Sequence, residues 1–277
     1  MKKYYLILFC VCLFNEIFAQ KLPDIQSSSL SAPKGIRIDG KSTEWNDIFA
    51  ADNKRTELFY SIANDDKNLY LIVKSASSAN TNKIMLGGIT FTINSEAKKR
   101  EKEGVSVTYP LFNRTNRNTG GRAGQQGQNR REGGGNFQNR SEQTTAQRDS
   151  IALVMRKAQL ATVKEIKISG FKTIQDTLVS IYNEHGLKAV ANFNQKGEFI
   201  YELAIPLALL ELGTKTELAY QIKLNGMSNM NFGGNNGGGR SFGGGGNFGG
   251  RNGGNGNNVQ DLMSPTDFWG KYILIKN

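Results

Sequence analysis

The chain has 277 residues, of which 38% are hydrophobic and 9% aromatic, so it is too apolar to be disordered throughout. Its formal net charge is +11, a strongly basic balance. It has one histidine, and its two cysteines, Cys10 and Cys12, both lie in the first apolar run; thiolate metal sites, a cysteine nucleophile and most histidine-based hydrolase chemistry are thereby excluded from the remainder.

Met1-Lys2-Lys3 and the apolar run Tyr4 to Leu13 read as a secretory signal over residues 1–19, with Ala19 at the cleavage position. The run falls short of the ~20 apolar residues that a spanning helix needs. Bulky Phe9 and Val11 precede the two cysteines, which disfavours a lipid anchor. The expected mature chain is exported, periplasmic or extracellular, and has no transmembrane segment.

From there a period of two dominates, the signature of half-buried strands. Strands are predicted near 34–38, 57–63, 68–75, 84–94, 105–109, 163–170, 177–182, 187–193, 198–204, 217–225 and 270–276. Turn clusters at Asn64–Asn68 and Asn194–Gly197 mark two hairpins. A helix to about Ala161 is expected to start at a cap on Asp149 or Ser150, with Ile151, Val154, Met155 and Ala158 sharing one face. Pro206 suits the first position of a short turn over 206–212, and the mixed charges of 96–103 suit a solvated turn.

Two low-complexity stretches interrupt this pattern. Residues 113–148 hold Arg114, Arg117, Arg122, Arg130, Arg131, Arg140 and Arg148 against Glu132 and Glu142, a net +5. In residues 232–258, fourteen are glycine and seven asparagine, too little apolar surface to offset the entropy of ordering. Both are expected to be disordered insertions. The organisation is then a signal (1–19), a first sandwich part (20–112), an insertion (113–148), a helix and second sandwich part (149–231), a Gly/Asn-rich loop (232–258) and a final strand (259–277). Many strands against one or two short helices predict an all-β, antiparallel two-layer β-sandwich.

Three segments carry a family resemblance. Ile38-Asp39-Gly40-Lys41-Ser42-Thr43-Glu44-Trp45, then Asn64-Asp65-Asp66-Lys67-Asn68-Leu69-Tyr70, then Tyr201-Glu202-Leu203-Ala204-Ile205-Pro206 occur in the order found in carbohydrate-binding module family 9 and related DOMON-like domains. The chain resembles that family over about a third of its expected mature length, and its arrangement is similar to secreted proteins of Bacteroidota. The resemblance implies a β-sandwich whose relatives bind sugars, or occasionally haem. It puts Trp45 in a core position and matches no sugar-stacking aromatic pair to positions here.

Read as chemistry, aromatic rings near loop ends suit a shallow sugar site, and Trp269, Tyr109 and Phe112 are the candidates. Asp39, Glu44, Asp47, Asp65 and Asp66 match no calcium-loop spacing. No carboxylate pair is marked for glycoside hydrolysis, and His185 in a turn is more simply a surface residue than the partner of Ser180 or Asp176. The glycine strings lack the Gly-Lys-Ser/Thr of a phosphate loop. Asp149-Ser150-Ile151 and Asp176-Thr177-Leu178 resemble the short O-glycosylation sites of Bacteroidota. The expectation is a non-enzymatic module without cofactor or metal that binds glycan. The alternative is an envelope interaction protein whose Arg114, Arg117, Arg122, Arg130, Arg131 and Arg140 engage an anionic polymer. Export argues against RNA.

Overall fold

A computed structural model describes residues 21–112, 144–229 and 261–276. The expected signal and most of both low-complexity stretches, including Arg114 to Arg140, lie outside them.

Among the described residues, eleven strands form two antiparallel sheets packed face to face. The five-stranded sheet runs β1 (Ala51–Asn53), β2 (Leu58–Asn64), β3 (Asn68–Ser75), β9 (Phe199–Pro206), β8 (Lys188–Phe193). The six-stranded sheet runs β11 (Thr266–Ile273), β10 (Glu217–Leu224), β4 (Ile89–Asn94), β5 (Val105–Tyr109), β6 (Glu165–Ser169), β7 (Leu178–Ser180). The expected two-layer β-sandwich is thus the fold. Its main core comes from the inward sets of both sheets, among them Tyr60, Leu71, Phe91, Val107, Leu203 and Ile222.

Three local corrections have physical causes. Residues 34–38 form no strand; Ile36 and Ile38 instead pack on the outer face of the five-stranded sheet. The expected strand over 84–94 is a helix, α1 (Ser78–Gly87), followed by the shorter β4. Ser77 caps α1 by accepting from the Asn80 N–H, and Thr81, Lys83, Ile84 and Met85 are buried along it, so packing overrides the strand-like Ile-Met-Leu run. The last strand starts at Thr266 rather than at 270. Gly270 reads as a break in sequence but lies inside β11, because the Tyr220 ring occupies the space a side chain there would take.

Helix α2 (Thr145–Ala161) starts before the expected Asp149 or Ser150, within the stretch read as insertion. Thr144 and Gln147 close a reciprocal capping box at 3.3 and 2.9 Å, which outcompetes the later caps. Ile151, Val154 and Met155 do share a face, but it points to solvent (45%, 64% and 68% exposed). The side turned to the protein carries half-buried Leu153 and buried Leu160.

Asn64 ties the perimeter together. Its side chain donates to the Ile275 carbonyl (2.9 Å) and accepts from the Ile275 N–H (2.9 Å) and the Tyr272 hydroxyl (3.0 Å). Its backbone bonds to Leu30 and Ala32, drawing the segment before β1 against the strand that closes the opposite sheet.

Candidate functional site

The two tryptophans lie on the two outer faces of the sandwich, in opposite circumstances. On the five-stranded sheet, Trp45 is buried with Phe49, Tyr70, Ile72 and Ile200 in a second apolar cluster under the segment before β1, as the resemblance implies for a core position. Its indole N–H donates to Glu202 Oε1 at 3.0 Å. Glu202 Oε2 accepts the backbone N–H groups of Asp39 (3.0 Å) and Gly40 (2.9 Å). This carboxyl is fully buried, and burial pushes its pKa above the ordinary value against the pull of those three donors. Lys74 Nζ sits 4.9 Å from the ring centroids of Phe49 and Phe59 at the edge of the cluster. The Ile38-Asp39-Gly40, Trp45 and Tyr201-Glu202 segments therefore meet at one carboxylate whose work is structural.

The outer face of the six-stranded sheet has a different make-up. Alternation along β11 sends Phe268, Gly270 and Tyr272 inward and leaves Asp267, Trp269 and Lys271 on the other side. The strand is held in register by Tyr220, which fits over Gly270 and shares a 2.8 Å hydroxyl–hydroxyl bond with Tyr60. Trp269 is half-buried and pairs with Gln221, which pairs with Thr92, then Ser106, then Ser169. The next row runs Asp267, Lys223, Thr90, Thr108, Lys167. With strands ~4.8 Å apart, five positions in a row span about 19 Å.

This face also holds unspent hydrogen-bonding capacity. Gln221 Nε2 donates to Asp267 Oδ2 at 2.7 Å, which leaves Gln221 Oε1 as an acceptor without a partner among the described residues. Thr92 Oγ1, on the paired residue, is in the same state. Both residues are buried, and buried polar groups are ordinarily satisfied, so two neighbouring exceptions stand out. Lys223 pairs with Glu101 of the short 3₁₀ turn Glu101–Glu103, and Arg55 lies 3.8 Å from Asp267. Thr90, Thr108 and Asn225 form a network of their own at 2.7 to 3.2 Å.

Beyond Asp267 the face meets a cleft of about 350 Å³ lined by Arg55, Glu57, Asn80, Lys83, Asp261 and Thr266. Lys83 is buried there and donates to Thr266 Oγ1 at 3.2 Å; burial pushes its pKa down, partly opposed by Asp261.

The other aromatic candidates take different places. Tyr109 is 4% exposed and stacks on Tyr201 inside the core, at 6.1 Å between centroids, so it offers no platform to a ligand. Phe112 is half-buried against the same core. Only Trp269 of the three stands on an outer sheet face. Gln221 and Thr92 were missed; their signal is a polar residue at an outward position of a central strand, visible only once register is known. Asp65 is explained as turn chemistry: its Oδ1 accepts from the Lys67 and Asn68 N–H groups at 2.8 and 2.7 Å. Among the described residues no group of three or more His, Cys, Asp or Glu is placed to hold a metal ion, and no hydrogen bond joins His185 to Ser180 or Asp176.

Comparison with protein-family models, with curated proteins and with solved structures finds no match to this chain.

Proposed function

We propose that this is an exported, non-enzymatic binding module whose ligand is a glycan received on the outer face of the six-stranded sheet. The observation that carries the reading is the row Trp269–Gln221–Thr92, an aromatic face beside two buried polar atoms without partners. An indole face packs against the apolar C–H face of a pyranose, while amide and hydroxyl groups bond its hydroxyls. Both free atoms are covered, so a sugar hydroxyl reaches them only once the side chains over them move aside. The resemblance to carbohydrate-binding module family 9 supports the same class. Calorimetry against cell-wall and plant polysaccharides tests it: affinities of about micromolar or weaker are expected, abolished by Trp269→Ala. No heat with any polysaccharide would remove the reading.

One observation favours a second reading, an envelope interaction protein whose cationic stretches engage an anionic surface. Gly87 packs on Gly226, just before the second stretch departs, and Gly88 packs on the Pro110 carbonyl, just before the first. Leu262, where the second stretch returns, also touches Gly226. The described residues that flank both arginine-bearing stretches thus lie at one end of the sandwich. Deleting 113–143 and 232–258 separates the readings: sugar binding at Trp269 survives, whereas salt-sensitive binding to an anionic polymer is lost.

A further inference from the structure

We infer that helix α2 is a membrane-docking element that lays its outward apolar stripe on an anionic lipid leaflet. The inference goes beyond glycan binding and rests on the envelope reading for the anionic surface; it names that surface as lipid and the docking element as α2.

Ile151, Val154 and Met155 are three of the eight large apolar side chains exposed among the described residues, and they occupy consecutive turns of one helix face. Ala158 extends the stripe by a further turn and is also exposed. The opposite side is already committed: Leu160 is buried, Leu153 packs on the core, and Arg156 donates to Asn82 Oδ1 of α1 at 2.9 Å. The helix is therefore fixed to the sandwich with its apolar stripe turned away from it. A packed core does not explain the stripe.

Charge selects the occupant. Exposed Arg148 and Lys157 flank the stripe, and Asp149 is the only acid in the helix. The stretch that leads into α2 has the highest density of arginine in the chain. Basic residues bordering an apolar stripe are the pattern of a helix lying in the headgroup region, where apolar insertion and electrostatic attraction add. A second copy is a poorer occupant. Three large side chains and an alanine offer far less than the ~800 Å² per partner of a standard interface, and two copies would bring Arg148 and Lys157 against their like.

The test is flotation of the full chain with phosphatidylcholine vesicles, with and without phosphatidylglycerol. Binding to the anionic vesicles is expected, with a loss of about tenfold or more in the triple variant Ile151→Ser, Val154→Ser, Met155→Ser. A smaller, salt-dependent loss is expected in Arg148→Gln, Lys157→Gln. An unchanged melting temperature shows that the triple variant is folded, as its three positions face solvent. Anionic-vesicle binding that the triple variant retains in full overturns the docking role and leaves the envelope reading standing. No binding of the full chain to either vesicle overturns both for lipid. A lipid-free dimer that the triple variant converts to monomer assigns the stripe to a second copy and overturns the inference.

Discussion

The two outer faces of this sandwich are built on the same alternation and end differently. On the five-stranded sheet Phe59, Ala63, Tyr70, Ile72, Ile200 and Ala204 form an outward apolar cluster around Glu202, and the segment before β1 folds down to cover it with Trp45. On the six-stranded sheet the outward residues are threonine, serine, glutamine and lysine, and Trp269 stays half-exposed among them. A covered face must satisfy every polar group it encloses, and Glu202 does so with three donors. On the six-stranded sheet Gln221 Oε1 and Thr92 Oγ1 are buried as well, yet have no partner among the described residues. Tryptophan is thus buried on one side and half-exposed on the other.

The sharpest way to break this contrast is at Glu202. Glu202→Ala leaves three donors unpaired, those of Gly40 and Trp45 buried, and is expected to cost about 3 kcal/mol, a fall of about 6–12 °C in melting temperature for a domain of this size. A scanning calorimetry shift under about 1 °C would show that the carboxylate is not the tie between the segments. Gly270→Ala comes next, at about 1–3 kcal/mol, because a methyl group there drives the Tyr220 ring off its place. Urea denaturation measures that loss. Trp269→Ala is expected to change stability by less than about 1 kcal/mol while removing glycan binding. Trp45→Ala should unfold or markedly weaken the protein, and equal melting curves for the two tryptophan variants would erase the contrast.

The smallest effects are in pH. Burial raises the pKa of Glu202, so the folded state holds that proton more tightly than the unfolded chain does. Its contribution is present in acid and is lost as pH climbs from the ordinary carboxyl value through the raised one. Asp65 runs the other way. Burial acts upward there, but the N–H groups of Asn68 and Lys67 and the Tyr70 hydroxyl outweigh it and hold the carboxyl low. Its contribution is present above the ordinary carboxyl value and lost as pH falls through the lowered one. Melting temperature against pH should therefore flatten on its acid limb in Asp65→Asn and on the limb above in Glu202→Gln. Parallel profiles in both variants would refute the assignment.

The sequence carried the sandwich legibly where local patterns and tertiary demands agree. The hairpin at Asn64–Asn68 is set locally, with Asp65 accepting from Lys67, Asn68 and Tyr70, and β3 and β5 fall on the expected residues. It was illegible where a distant residue decides. Nothing near Gly270 reveals that Tyr220 fills its space, so β11 reads as starting late and Trp269 as a loop residue. Nothing near Ile84 shows that its run is buried as a helix. Trp269 was legible as a candidate by type, whereas Gln221 and Thr92 become candidates only through strand register, which alternation cannot supply across sheets. Ile151, Val154 and Met155 show the reverse limit: periodicity finds the shared face but not the direction in which it points.

The Asn64 clasp has a kinetic consequence. One early side chain bonds to Tyr272 and Ile275, more than two hundred positions downstream. The first hairpin can seat Leu30 and Ala32 on the Asn64 backbone, yet the side-chain half of the clasp waits until β11 arrives. Loop closure over such a span slows folding, so final locking should trail hairpin formation, and the Ile275 N–H should gain protection from hydrogen exchange after the strand amides of that hairpin.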